Sequence, residues 1–216
     1  MSLTLRQRNR LIAIGRIVDT AMDLFDERGY ADVTIEEIAA ASGVSPRTFY
    51  RYFGTKEGLF TTDLFAAAEL DPFTERIDPD DLPGSFKRVI AFLAQGFLSD
   101  GQTGGSGASL RTGDAGGAEP RGEPGRRGTA WRGMRYVMEE PPVRAAVYGA
   151  LDQAADRLAA LLRDRGENPV RARVAARTYW FGVYFGSLEQ WHLDGRTRPL
   201  LDYVDEALAV VGERAG

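Results

Sequence analysis

An all-α fold is what this 216-residue sequence predicts, and three observations predict it. Apolar residues return at i, i+3, i+4 and i+7 in segment after segment, the period of a helix with one buried face. No stretch alternates apolar and polar residues as a half-buried strand would, and no unit repeats every 20–50 residues. Helix punctuation is frequent. Ser45-Pro46 and Asn168-Pro169 pair a capping side chain with proline at the first helical position, while Gly29 and Gly166 stand where helices should end.

Residues 5–28 read as a long first helix, with Ile14, Ile17, Val18, Ala21, Leu24 and Phe25 in one stripe and Gly29 closing it. The stretch Thr34 to Phe60 organises the rest. Thr34 followed by Glu37 is a capping box, flanked by Val33 and Ile38 as a hydrophobic staple. Ile35, Ile38 and Ala39 give this short helix an apolar face, and Ser42-Gly43-Val44 breaks it at a residue able to adopt positive φ. Ser45 caps a second helix opened by Pro46. The spacing is that of a helix-turn-helix, across whose back the first helix should pack. In the second helix Phe49 and Phe53 are four apart and can face a core. Arg47, Thr48, Tyr50 and Arg51 lie on other faces and carry groups that bond phosphates or base edges. Lys56 follows Thr55, which reads as the cap of the next helix. A cation there opposes the helix dipole, so a nearby phosphate is its expected partner.

These residues resemble the DNA-binding domain of the TetR family of bacterial repressors. The resemblance rests on Ala21, Leu24, Phe25, Gly29, Tyr30, Thr34, Ile35, Ile38, Ala39, Gly43, Val44, Ser45, Phe49, Tyr50, Tyr52, Phe53, Lys56 and Leu59, and covers about the first 60 residues. Tyr52 is a departure: the family more often has His there, and either side chain can donate to a phosphate. The resemblance implies that Arg47 and Thr48 read bases. It implies phosphate contacts from Thr34, Ser45, Tyr50, Tyr52 and Lys56, with Arg51 able to do either.

Beyond the helix-turn-helix, residues 56–70 form a fourth helix on Leu59, Phe60, Leu64, Phe65 and Leu70; the family resemblance makes it the link to a ligand-binding domain. Asp71-Pro72 and the run 78–83 mark a loop. A fifth helix follows over about 83–99. Segment 101–128 holds ten glycines and, as large apolar residues go, Leu110 alone. It cannot bury enough surface to offset its ordering entropy, so it is expected to be a mobile loop where the family has more helix. Helices are expected again near 129–140, 142–165, 169–193 and 199–213. The helix over 169–193 is apolar nearly all round, with Gly182 and Gly186 allowing close approach, so one of its faces should be buried by a second subunit. With the stripe on 199–213 it can form half of an intersubunit four-helix bundle.

Composition narrows the function classes. The chain has no cysteine and one histidine, which leaves little for a metal site or a nucleophile-based enzyme. His192 is expected to be a cation at a helix C-terminus. No apolar run reaches the roughly 18 residues of a membrane span, and no secretory segment is evident, which points to a cytoplasmic protein. Net charge is −4, yet residues 1–56 hold eight basic and seven acidic side chains, with Arg6, Arg8, Arg10 and Arg16 near the start. A basic arm of this kind can reach DNA. Trp131, Met134, Tyr148, Tyr179, Trp180 and Tyr184 are the candidates for lining a small-molecule pocket, Tyr and Trp because each brings a polar handle to an apolar wall.

The expectation is therefore an all-α, non-enzymatic regulator in two parts. Residues 1–56 form the helix-turn-helix DNA-binding domain, and 57–216 the helical ligand-binding and dimerisation domain. As the resemblance implies, it is a homodimer that binds a double-stranded DNA operator and is released by a small-molecule inducer, with no cofactor or metal. Two alternatives stay open: a DNA-binding dimer without a ligand response, and a small helical enzyme built on convergent polar groups around the pocket.

Overall fold

A computed structural model describes residues 5–65, 77–98 and 129–213. The expected mobile segment 101–128 and the end of the fourth helix lie outside these described residues, as do the side chains of Arg6, Arg8 and Trp131. Among the described residues there is helix and no strand.

The first helix, α1 (Leu5–Arg28), ends at Gly29, whose φ of +89° is open to glycine and whose N–H reaches Phe25 O at 2.8 Å. The capping box forms as the sequence predicts. Thr34 Oγ1 accepts from Glu37 N, and the Glu37 carboxylate accepts from Thr34 N at 2.8 Å, starting α2 (Ile35–Ala41). Gly43, at φ +67°, makes the turn. Ser45 Oγ then accepts from Thr48 N at 3.1 Å to start α3 (Pro46–Phe53). Gly54, at φ +72°, reverses the chain into α4 (Gly58–Phe65). Only glycine fits at position 58, where a Cβ would lie 1.9 Å from Phe53 O. The four helices close on Ile17, Ala21, Phe25, Ile38, Ala39, Phe49 and Leu59, all fully buried.

The larger part comprises α5 (Leu82–Leu98), entered through a short 3₁₀ turn at Pro79–Asp81, then α6 (Thr129–Glu139) and α7 (Pro141–Asp164). Asn168 caps α8, whose 25 residues run through Pro169–Arg177, Thr178–Phe185 and Gly186–Leu193. Gly195 and Arg196, both at positive φ, turn the chain into α9 (Leu200–Glu213). The two long helices α7 and α8 pack along each other, α9 covers the second half of α8, and α5 lies against α9. No helix of the described residues is long and apolar enough to cross a membrane.

The middle of α8 departs from the expected straight α-helix. Thr178–Phe185 winds with π spacing, so that Gly186 N–H reaches back five residues to Phe181 O. The wider turn brings Tyr179, Trp180, Val183, Tyr184 and Phe185 into the chain's own core. A helix that reads as apolar on every face is thus largely satisfied within one subunit. What it leaves uncovered is Val170 and Val174, 70% and 60% exposed, together with exposed Gly182 and half-buried Phe181. The histidine expectation also changes. His192 does sit in the last turn of α8, but burial, followed by the charge of Arg196, holds its pKa below the ordinary value. Both effects disfavour the cation expected on the helix dipole.

Candidate nucleic-acid interface

The recognition candidate is α3, whose two faces are divided by burial. Phe49 and Phe53 are buried, their rings 4.9 Å apart, while Arg47, Tyr50 and Arg51 are exposed. Ser45 and Thr48 sit at the helix start with their hydroxyl oxygens 3.0 Å apart. Helix α2 holds α3 from behind through Ile38 and Ala39. The base-reading and phosphate-binding candidates of α3 therefore share one rigid, outward-facing platform.

Tyr52 is half-buried and has cations on its ring. Arg51 lies 4.9 Å from the ring centroid and donates to the phenol oxygen at 3.2 Å, and Arg10 of α1 stands 5.7 Å from the same centroid. Two guanidinium groups sharing one phenol make a positive corner beside the exposed end of α3, suited to a phosphate. Thr34 is exposed, but its hydroxyl already belongs to the capping box, donating to Glu37 Oε2 at 2.8 Å. Backbone hydrogen bonding from Thr34, then the hydrogen bond from Arg28, pulls the Glu37 carboxyl down to about 2.

Lys56 has a different setting from the one its charge suggests. It lies in the turn before α4 and points inward. Nζ donates to Tyr30 O at 2.7 Å and to Val33 O at 3.0 Å, and stands 4.0 Å from the Tyr30 ring centroid. Burial lowers its pKa. Beside it, Tyr30 OH donates to Glu57 Oε1 at 2.6 Å. The ammonium thus ties the α1–α2 loop to the start of α4, a structural reason for a cation at this position. Lys56→Met should cost about 1.5–3 kcal/mol, the range for a charged group's hydrogen bonds. At 25 °C the folded variant should keep the wild-type slope of log K against log salt. Unchanged stability with a slope reduced by about 1, one lost phosphate contact, would return Lys56 to the DNA surface.

The pocket candidates divide. Tyr179, Trp180 and Tyr184 are brought together in the core, with Phe86 of α5, which the sequence did not single out, 4.7 Å from Tyr179 and 5.3 Å from Trp180. Trp180 and Tyr184 meet edge to face at 5.4 Å. Met134 is buried on α6. Tyr148 is not part of this group: it is 39% exposed and edge-on to Phe181 and Phe185. Among the described residues no cluster of His, Cys, Asp and Glu could hold a metal.

A contact that sequence reasoning missed joins the two parts. Arg132, Arg135 and Tyr136 of α6 all bind Asp26 of α1, and Arg132 also binds Asp23. Their spacing of i, i+3, i+4 marked one face of a helix; nothing local marked the partner, more than 100 positions away.

Residues 17–62 match the family model of bacterial regulatory proteins, tetR family. The HTH-type transcriptional regulator TcmR of Streptomyces glaucescens is 34% identical over 101 residues, 44% of each chain. The putative mycofactocin biosynthesis transcriptional regulator MftR of Mycobacterium tuberculosis is 35% identical over 75 residues, 33% of this chain and 36% of that one. The chain thus spans less than half the length of these curated relatives. Two solved structures are similar over almost the whole chain. NalD, the secondary repressor of the MexAB-OprM multidrug efflux pump in Pseudomonas aeruginosa, has a TM-score of 0.54 at 19% identity, covering 95% of this chain and 96% of its own. FadR of Thermus thermophilus, a TetR-family transcriptional repressor in complex with lauroyl-CoA, has a TM-score of 0.50 at 22% identity, covering 91% and 92%. At these identities the likeness is one of fold.

Proposed function

We propose, from an N-terminal unit that belongs to the TetR family of bacterial regulatory proteins, that this chain is a transcriptional repressor. It acts in the cytoplasm as a homodimer and leaves its operator when a small molecule binds. Residues 1–56 form the DNA-binding domain and 57–216 the ligand-binding and dimerisation domain. The observation that carries the reading is the division of α3, with Phe49 and Phe53 locked in the core while Arg47, Tyr50 and Arg51 face outward from a capped, rigid helix. Arg47 and Thr48 read base edges in the major groove; Ser45, Tyr50 and the Arg51–Tyr52 pair contact phosphates, while both donors of Thr34 are held by Glu37 in the cap of α2. Lys56 positions the loop behind them.

The uncovered strip of Val170, Val174, Phe181 and Gly182 on α8 supports the dimer, since an exposed apolar strip marks an interface. The aromatic wall of Phe86, Tyr179, Trp180 and Tyr184 suits an apolar or aromatic inducer. Induction is a coupling between two sites. The inducer favours a subunit arrangement in which two recognition helices no longer fit successive major grooves.

Selection of bound sequences from a pool of randomised duplexes tests this reading. The expected winner is a two-fold symmetric site whose half-sites lie about 10–10.5 base pairs apart, or a multiple of that. A pool with no enriched sequence after repeated rounds would overturn it.

A further inference from the structure

Asp26 is the most heavily bonded carboxylate described where α1 meets the larger part of the chain. Its Oδ2 accepts from Arg132 Nε at 2.8 Å and Nη2 at 2.5 Å; its Oδ1 accepts from Arg135 Nη2 and from Tyr136 OH, both at 2.6 Å. The third nitrogen of Arg132, Nη1, donates to Asp23 at 2.8 Å. Beneath these polar groups Tyr136 is a buried plug, 5.5 Å from the Phe25 ring, 5.9 Å from Phe60 and 6.3 Å from Tyr30. Burial works against the Asp26 charge, but the hydrogen bonds from Tyr136 and Arg132 prevail and hold its carboxyl below the usual range.

The other contacts of α6 give this join its meaning. The same helix packs against α5 and against Gly186–Leu193, the part of α8 that follows the π-wound aromatic segment. One helix of 11 residues therefore touches the DNA-binding unit on one side and, on the other, α5 and the end of α8, the helices that carry or adjoin the aromatic wall. The join is polar and partly solvated, the character of interfaces that open and close. A fork of nitrogens on a carboxylate is strongly directional. Break it, and the plug alone does not fix the angle.

We propose that Asp26 is a positioning residue: through its fork with Arg132, α6 sets the orientation of the recognition helix relative to the larger part of the chain. The proposal rests on the repressor reading and identifies where regulation of that site is exerted. Fixing the angle matters only when two recognition helices must reach two grooves together. It gives no advantage on a single half-site, where one unit docks alone.

The test follows from that difference. Asp26→Asn and Arg132→Gln attack the same contact from opposite helices, and the full-length protein is titrated with a duplex carrying both half-sites and with one carrying a single half-site. Each variant should lose about 5-fold or more on the two-site duplex, the lower end of ordinary coupling between sites. Each should match wild type on the single half-site, keep the wild-type salt slope, and melt within about 4 °C of it. Wild-type affinity on the two-site duplex for both variants would overturn the proposal. So would equal losses on both duplexes, which would mean that the contact serves the fold or touches DNA directly. Failure of the wild type itself to bind any duplex would instead sink the repressor reading.

Discussion

Gly182→Glu is expected to abolish dimerisation, and operator binding with it, while leaving the subunit folded. Gly182 is exposed on α8, and a Cβ built there meets nothing within 4 Å in its own chain. Glutamate is also a better helix former than glycine, by about 0.5–1 kcal/mol. The subunit therefore has no reason to unfold. The residue lies on the strip that carries Val170, Val174 and Phe181, with exposed Tyr148 of α7 edge-on to Phe181. A carboxylate placed in the middle of that seam is buried without a partner, at a cost of about 3–5 kcal/mol. That weakens dimerisation by a factor of hundreds or more, and a monomer reaches one half-site only. Sedimentation should show a folded monomer by unchanged far-UV circular dichroism. A variant that still sediments as a dimer would place the interface elsewhere. Gly186 is less informative as a site of change, because it is half-buried and its Cβ would lie 3.5 Å from Phe181 O.

Arg47→Ala should separate specificity from affinity. Arg47 is exposed in the first turn of α3, with no ion pair described for it, and its fork suits the paired acceptors of guanine in the major groove. Such a contact is worth about 1–3 kcal/mol of discrimination, roughly 5- to 150-fold. The variant should lose that factor on the selected operator and little on random DNA. Arg51, stacked on Tyr52 and hydrogen-bonded to it, should behave in the opposite way when changed to alanine, with losses on both duplexes and a shallower salt slope. Equal loss on both duplexes for Arg47→Ala would move that residue to the phosphate class.

The contrast between these residues and Lys56 shows what a sequence of this kind reveals. Caps and turns are local chemistry. The Thr34–Glu37 box, the Ser45-Pro46 start and Gly43 each decide their own geometry within four residues, so the helix-turn-helix was legible down to its hydrogen bonds. The amphipathic stripes of α1, α7 and α9 were legible for the same reason. Lys56 was not, because its carbonyl partners at Tyr30 and Val33 come from a loop more than 20 positions earlier. Nor was the π winding of α8. It accompanies the burial of Tyr179, Trp180 and Tyr184 among the neighbouring helices, and no local signal in Thr178–Phe185 demands it. The pocket candidates failed to form one group for a related reason. Residue type marked Tyr148 and Tyr184 equally; only the fold turns one outward and the other into the core.

The two-fold dimer is the premise on which operator symmetry, the α8 seam and the proposed role of Asp26 all depend. The mass of the wild-type protein, free and on its selected duplex, tests it most directly. Light scattering at micromolar concentration should give twice the 23.7 kDa chain mass, and the complex should carry two chains per symmetric site. A free mass of 23.7 kDa, with one chain per duplex, would contradict it.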